Sequence, residues 1–207
     1  LKKESDIIIY SFIEALGTVL AALSGTYYLG LERGPDLRRG LDITGNALQA
    51  AGNALETETI SLFADGGNAW TAIGNSVVLA GLLDCFGESG FRKALVSGNL
   101  IQALGNLILA GKTLEIGPKT IGQVNFLIGS LLQATGNALQ AAGAGKETDH
   151  RAIRLVSTGG WVQATGAVLG FISTLQEYHE SERVKMQNYP FIFYGEAENF
   201  FDFVPYI

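Results

Sequence analysis

Six short segments of this chain follow one pattern: EALGT at 14–18, QAAGN at 49–53, TAIGN at 71–75, QALGN at 102–106, QATGN at 133–137 and QATGA at 163–167. Their central glycines are Gly17, Gly52, Gly74, Gly105, Gly136 and Gly166. The glycines recur at a period near 30 residues, with one shorter and one longer interval, and the residues between them are compatible with helix. That is the signature of one helix plus one turn per repeat. The breakers agree: Gly34-Pro35 and Gly117-Pro118 place glycine past one helix and proline at the start of the next. GESG at 87–90 and GAGKETD at 143–149 separate further copies, and Thr120 with Gln123 suggests a capping box. The pattern predicts an all-α, six-helix up-down repeat bundle, with helices near 6–30, 36–56, 59–84, 90–114, 119–145 and 150–184.

Within these helices glycine recurs every seven residues, at Gly45 and Gly52, Gly67 and Gly74, Gly98 and Gly105, and Gly129 and Gly136, with Gly166 in the last helix. Each glycine costs about 1 kcal/mol of helix stability relative to alanine, and each asparagine somewhat less. Two of each in a helix lose on the order of 3 kcal/mol, so an interaction between helices must offset them. A line of glycines lets a second backbone approach closely, the mode best known from membrane helices. We therefore read Gly45, Gly52, Gly74, Gly98, Gly105, Gly129, Gly136 and Gly166 as helix-seam residues. An amide stripe runs beside them: Asn46, Gln49 and Asn53, then Asn68, Thr71 and Asn75, then Asn99, Gln102 and Asn106, then Ser130, Gln133, Asn137 and Gln140. Positions i, i+3 and i+7 share one helix face. Amides both donate and accept, so these stripes are expected to face one another as side-chain ladders between helices.

Hydrophobic residues make up 47% of the chain and charged residues 16%, against a usual charged share of about 25%. The net charge is −6. No basic cluster is present, which argues against a nucleic-acid partner. Residues 120–145 and 155–176 carry no charge, and each run is long enough to cross a bilayer, which takes about 20 apolar residues. Three features weigh against crossing. Each run has amides or hydroxyls near its middle, the second helix is uncharged only over 43–55, and basic residues divide almost evenly between the two sets of turns. A soluble protein, cytoplasmic or associated with a spore or cell surface, is the preferred expectation, with membrane association second. The apolar run after Lys2 and Lys3 is read as the first helix, because 14–25 shares the repeat of the body.

The repeat region (1–186) gives way to an aromatic C-terminal arm (187–207). Tyr189, Phe191, Phe193, Phe200, Phe201, Phe203 and Tyr206 concentrate there, partly at a strand-like period of two. The arm is expected to dock on its own bundle, or on a neighbouring copy, which would close a ring or extend a filament, with insertion at a membrane interface as the third alternative.

The sequence holds no catalytic motif: no G-x-S-x-G, no H-E-x-x-H, no P-loop. His150 and His179 lie at opposite ends of the last helix, too far apart to share a metal. Cys85 is the only cysteine and reads as a small buried apolar side chain. No cofactor is expected. The heptads GNALQAAGNALE and IGSLLQATGNALQAAG resemble a group of repetitive, uncharacterised bacterial proteins seen in spore-forming Gram-positive species, over roughly 14–175. That resemblance implies a bacterial source and carries no established activity to transfer. The expectation is a non-enzymatic structural or interaction protein that forms homo-oligomers or polymers through apolar helix faces and the arm. The first alternative is a membrane-active or pore-forming helical protein, and the second is an enzyme or small-molecule carrier using a cavity between helices.

Overall fold

A computed structural model describes residues 4–26, 35–57, 66–144 and 149–188. They form six α-helices: α1 Glu4–Ser24, α2 Pro35–Glu56, α3 Gly67–Leu82, α4 Gly87–Ile116, α5 Ile121–Gly143 and α6 His150–Asn188. The helices run up and down. Each packs on its neighbours in the chain, and α6 returns to α1, so the bundle is a closed ring. The arm residues 189–207 lie outside the described residues.

Local chemistry sets the ends. Thr120 is the N-cap of α5, its hydroxyl accepting from the Gln123 backbone N–H at 3.0 Å, while Gln123 Oε1 accepts from the Lys119 N–H at 2.8 Å. The box therefore closes one residue earlier than the reciprocal form, in which the side chain returns to the N-cap itself. Gly117 ends α4 with φ 76°, a conformation that disfavours side chains. Helix α1 stops at Ser24, short of the expected boundary near 30. The hydroxyls of Ser24 and Thr26 bond the carbonyls of Ala21 and Ala22 and so cap its last turn. Helix α3 starts at Gly67 rather than near 59. The turn between α3 and α4 carries Asp84 at φ 61°, and it leaves Cys85 exposed. The expectation of a buried cysteine is corrected: Cys85 falls past the end of α3, outside any packed helix face.

The six helices associate as three hairpins, α1/α2, α3/α4 and α5/α6. Within each, glycines bring the two backbones nearly into contact. A methyl group at Gly17 would meet the Gly45 carbonyl oxygen at 2.6 Å, and one at Gly52 would meet Tyr10 O at 2.8 Å. Gly74 and Gly98 oppose each other in α3/α4, at 2.6 and 2.7 Å from the opposite carbonyl oxygen, and Gly105 lies over Gly67 O at 2.6 Å. In α5/α6, Gly129 faces Gly166 at 2.7 Å and Gly136 faces Gly159 at 2.5 Å. Real side-chain carbons do not approach backbone oxygens this closely, so no residue larger than glycine fits these positions without moving a helix.

The interior reverses the usual assignment. Among the described residues, every buried hydrophobic side chain except Val78 is an alanine. The largest fully buried side chains are Gln49, Gln102, Asn75, Asn106, Asn137, Thr18 and Thr71. Large apolar residues point outward instead: Ile9, Phe12 and Leu16 on α1, Ile73 on α3, Leu100, Leu104 and Leu107 on α4, Val124, Ile128 and Leu131 on α5, and Trp161, Val168 and Ile172 on α6. Globular interiors are normally built from Ile, Val, Leu and Phe. Here the small and amide residues that permit close helix approach are inside, and the residues that gain most from leaving water are outside.

Candidate functional site

The closed ring places one polar face of every helix on a common axis. Near its middle, glutamines from four helices meet. Gln163 Nε2 on α6 donates to Gln49 Oε1 on α2 at 2.9 Å and to Gln102 Oε1 on α4 at 3.3 Å. Gln140 Nε2 on α5 donates to Gln163 Oε1 at 2.6 Å. Gln49, Gln102 and Gln163 come from the second helix of each hairpin and occupy the same place in the QAAGN, QALGN and QATGA segments. The cluster is thus a pseudo-threefold meeting of equivalent residues, tied together by one amide that bonds to all three others.

The asparagines behave differently. Asn46, Asn53, Asn99 and Asn106 are buried, but each donates from Nδ2 to the carbonyl four residues back in its own helix, at 2.8–3.0 Å. A short side chain reaches its own backbone more readily than the next helix. Asn137 and Asn75 are fully buried with no hydrogen-bond partner among the described residues. The expected contacts between helices therefore form on the axis at Gln49, Gln102, Gln140 and Gln163, whose extra methylene spans the gap, whereas Asn46, Asn53, Asn99 and Asn106 satisfy local carbonyls.

On one side of the glutamine cluster lies a cavity of about 340 Å³, lined from all six helices. Its walls include Ser24, Arg38, Asp42, Asn46 and Asn99 as well as the four glutamines, with Val78, Leu82, Phe91, Leu95, Ile153 and Val156 completing them. These residues place it toward the end where α1, α3 and α5 finish and α2, α4 and α6 begin. Arg38 Nε donates to Ser24 O at 2.8 Å, and Arg39 donates to Leu82 O at 3.0 Å. The two arginines thus satisfy terminal carbonyls of α1 and α3. Burial pushes the Asp42 carboxyl up to about 6, opposed by the Arg38 guanidinium and by the hydrogen bond from Asn46 Nδ2. On the other side of the cluster, Ser11, Glu14, Asn53, Asn106, Ser130 and Gln133 surround a space of only about 20 Å³.

Sequence reasoning singled out Gln49, Gln102, Asn46 and Asn99, and the structure brings these four to one cavity. Asn53, Asn106 and Gln133 fall in the tighter half, and Asn137 lines neither space. Gln140, expected as the continuation of the α5 stripe, also lines the larger cavity, whereas Gln163, Arg38 and Asp42 were not among the expected site residues. The signal for Gln163 was present, since its segment aligns with those of Gln49 and Gln102, but its stripe lacks the asparagines of the others. The seam glycines line the hairpin contacts rather than the axis. Among the described residues no group of His, Cys, Asp and Glu could hold a metal ion.

A family of unknown function, DUF6944, matches residues 5–171. The chain belongs to that family. The match takes in α1 to α5 and the part of α6 that carries Gln163, so the whole axial cluster lies within it. No curated protein and no solved structure matches the chain.

Proposed function

We propose that this protein is a non-enzymatic, membrane-embedded helical bundle. The observation that carries this reading is the outward placement of large apolar side chains around the ring, over an interior of glycine, alanine and amides. A second copy would cover one face, whereas acyl chains cover all of them. Helices α1, α4 and α6 contain stretches long and apolar enough to cross a membrane. Charged residues are absent from 43–55, 67–83, 94–111, 120–144 and 155–176, and the arginines at the start of α2 gather at an end of the bundle. In water such an interior gains little from the hydrophobic effect, because alanine and glycine bury little apolar area. In lipid, helices associate through close packing of small residues and hydrogen bonds, the two features this interior has. The amides that argued against crossing now lie on the axis, away from lipid, where polar groups in membrane bundles are tolerated. The preference for a soluble protein gives way for that reason.

Flotation with phosphatidylcholine vesicles tests the proposal. The full chain is expected to float with the vesicles and to stay with them through an alkaline carbonate wash. A monodisperse, detergent-free solution of the protein that does not float would refute it. Self-association through the same apolar faces is the second reading, favoured by the continuous ridge of Leu100, Leu104 and Leu107 on α4. Light scattering on the full chain and on a version ending before Tyr189 separates the arm's contribution from that of the helices. The bacterial, spore-former source implied by the heptads is likewise proposed, as is the absence of a nucleic-acid partner.

A further inference from the structure

We propose that the axial cavity is a binding site for a small, uncharged, polyhydroxylated molecule of up to hexose size. This goes beyond the membrane reading and does not depend on what covers the outside of the bundle.

The cavity volume, about 340 Å³, lies at the lower end of small-molecule sites, which run roughly 300–1,000 Å³. Its polar lining is dominated by amides, Asn46, Gln49, Asn99, Gln102, Gln140 and Gln163. Amides offer donors and acceptors side by side without net charge, which matches hydroxyl groups, themselves both donors and acceptors. The only charged residues in the lining are Arg38 and Asp42, of opposite sign, so an ionic ligand would find no uncompensated counter-charge. Phe91, Leu95 and Val156 give part of the wall an apolar surface suited to the C–H face of a sugar ring.

One group marks the site more directly. Gln102 lines the cavity and is 1% exposed, and its Nε2 has no hydrogen-bond partner among the described residues, although its Oε1 accepts from Gln163. A buried amide N–H₂ without an acceptor costs free energy. Nε2 itself has almost no accessible surface and lies just behind the cavity wall, so a ligand hydroxyl oxygen satisfies it when the amide turns toward the cavity. The glutamine cluster holds the Oε1 of that amide, because Gln163 donates to both Gln102 and Gln49 and is itself held by Gln140.

The test uses the full chain in neutral detergent micelles and saturation-transfer NMR with four probes: glucose, sorbitol, glucuronate and glucosamine. These differ in charge while remaining similar in size. Transfer to glucose or sorbitol is expected, at least tenfold above that to the anion and the cation. Gln102→Met, which keeps the length but removes the donor, is expected to abolish the transfer, and Gln133→Met, on the other side of the cluster, to leave it unchanged. Should Gln102→Met lose its helical circular dichroism, Asn99→Ser on the cavity wall takes its place, with at least a fivefold loss expected. The proposal is overturned by no transfer to either neutral probe, by equal transfer to the charged ones, or by undiminished transfer in the folded wall variant. Because binding is read in micelles, failure here leaves the flotation result standing, and the reverse also holds.

Discussion

The contacts inside the three hairpins and those between them are built differently. Inside a hairpin, glycines put the carbonyl oxygen of one helix 2.5–2.9 Å from where the other helix would carry its first side-chain carbon. Between hairpins the approach is ordinary. At the α6/α1 junction a methyl on Gly160 would meet Ala22 Cα at 3.4 Å, and the junction is completed by side chains: Trp161 Nε1 donates to Thr26 Oγ1 at 2.9 Å, and the Phe12 and Phe171 rings lie 5.5 Å apart. At α2/α3, Asn68 donates to Glu56 Oε2 at 3.1 Å. The difference teaches that the structural repeat is a hairpin, although the sequence repeat is a single helix. Seams define rigid pairs, and junctions with the glutamine cluster join the pairs into a ring.

The largest expected effect comes from breaking a seam. Gly105→Leu drives a side chain into Gly67 O and the Thr71 backbone N–H, neither of which can swing aside. We expect a loss of about 3 kcal/mol or more, read as collapse of the thermal transition, whereas a melting temperature like that of the parent would show that the seam is not close-packed. Removing the tie between hairpins comes next. Gln163→Ala deletes bonds to Gln49, Gln102 and Gln140 and leaves buried amides behind, so we expect a loss of roughly 1–3 kcal/mol with the hairpins themselves intact, checked by denaturant unfolding followed by hydrogen exchange. A glycine outside any seam should respond in the opposite direction. Gly40 and Gly111 lie on helices with nothing near an added methyl group, so Gly111→Ala is expected to stabilise by about 0.5–1 kcal/mol. Trp161→Phe, at a junction, loses one exposed hydrogen bond and should cost no more than about 1 kcal/mol.

A pH titration sharpens the same comparison at the cavity mouth. Asp42 is held above its ordinary value of 3.8, at about 6, so its neutral form is favoured in the folded protein. The contribution of Asp42 to stability is expected to fall as pH rises from about 4 to about 6 and to level off above that. Asp42→Asn should flatten this part of the profile.

Much of this was legible in the chain. The glycine heptads required close helix approach, because two poor helix formers per seven residues need an external offset, and the turns were marked by Gly-Pro pairs and a Thr cap. The amide stripe was visible as one face. The pairing was less legible: the six segments look alike, and nothing in QATGN or QALGN states whether its glycine faces the preceding or the following helix. The orientation of the apolar rows was also hidden. Leu100, Leu104 and Leu107 have the helical spacing of a core face, and that spacing does not record which side of the helix water or lipid occupies. The glutamine cluster depends on three residues separated by 53 and 61 positions (49 to 102, 102 to 163), a coincidence that only the closed ring produces.

The central claim is that the outward row of large apolar side chains rests against lipid while amides occupy the axis. It is tested most directly by a nitroxide at position 104, introduced as Leu104→Cys in a Cys85→Ser background and reconstituted in vesicles. The label is expected to collide freely with dissolved oxygen and scarcely at all with a water-soluble nickel chelate. Ready collision with the nickel chelate, or a label immobilised and shielded from both, would contradict the account.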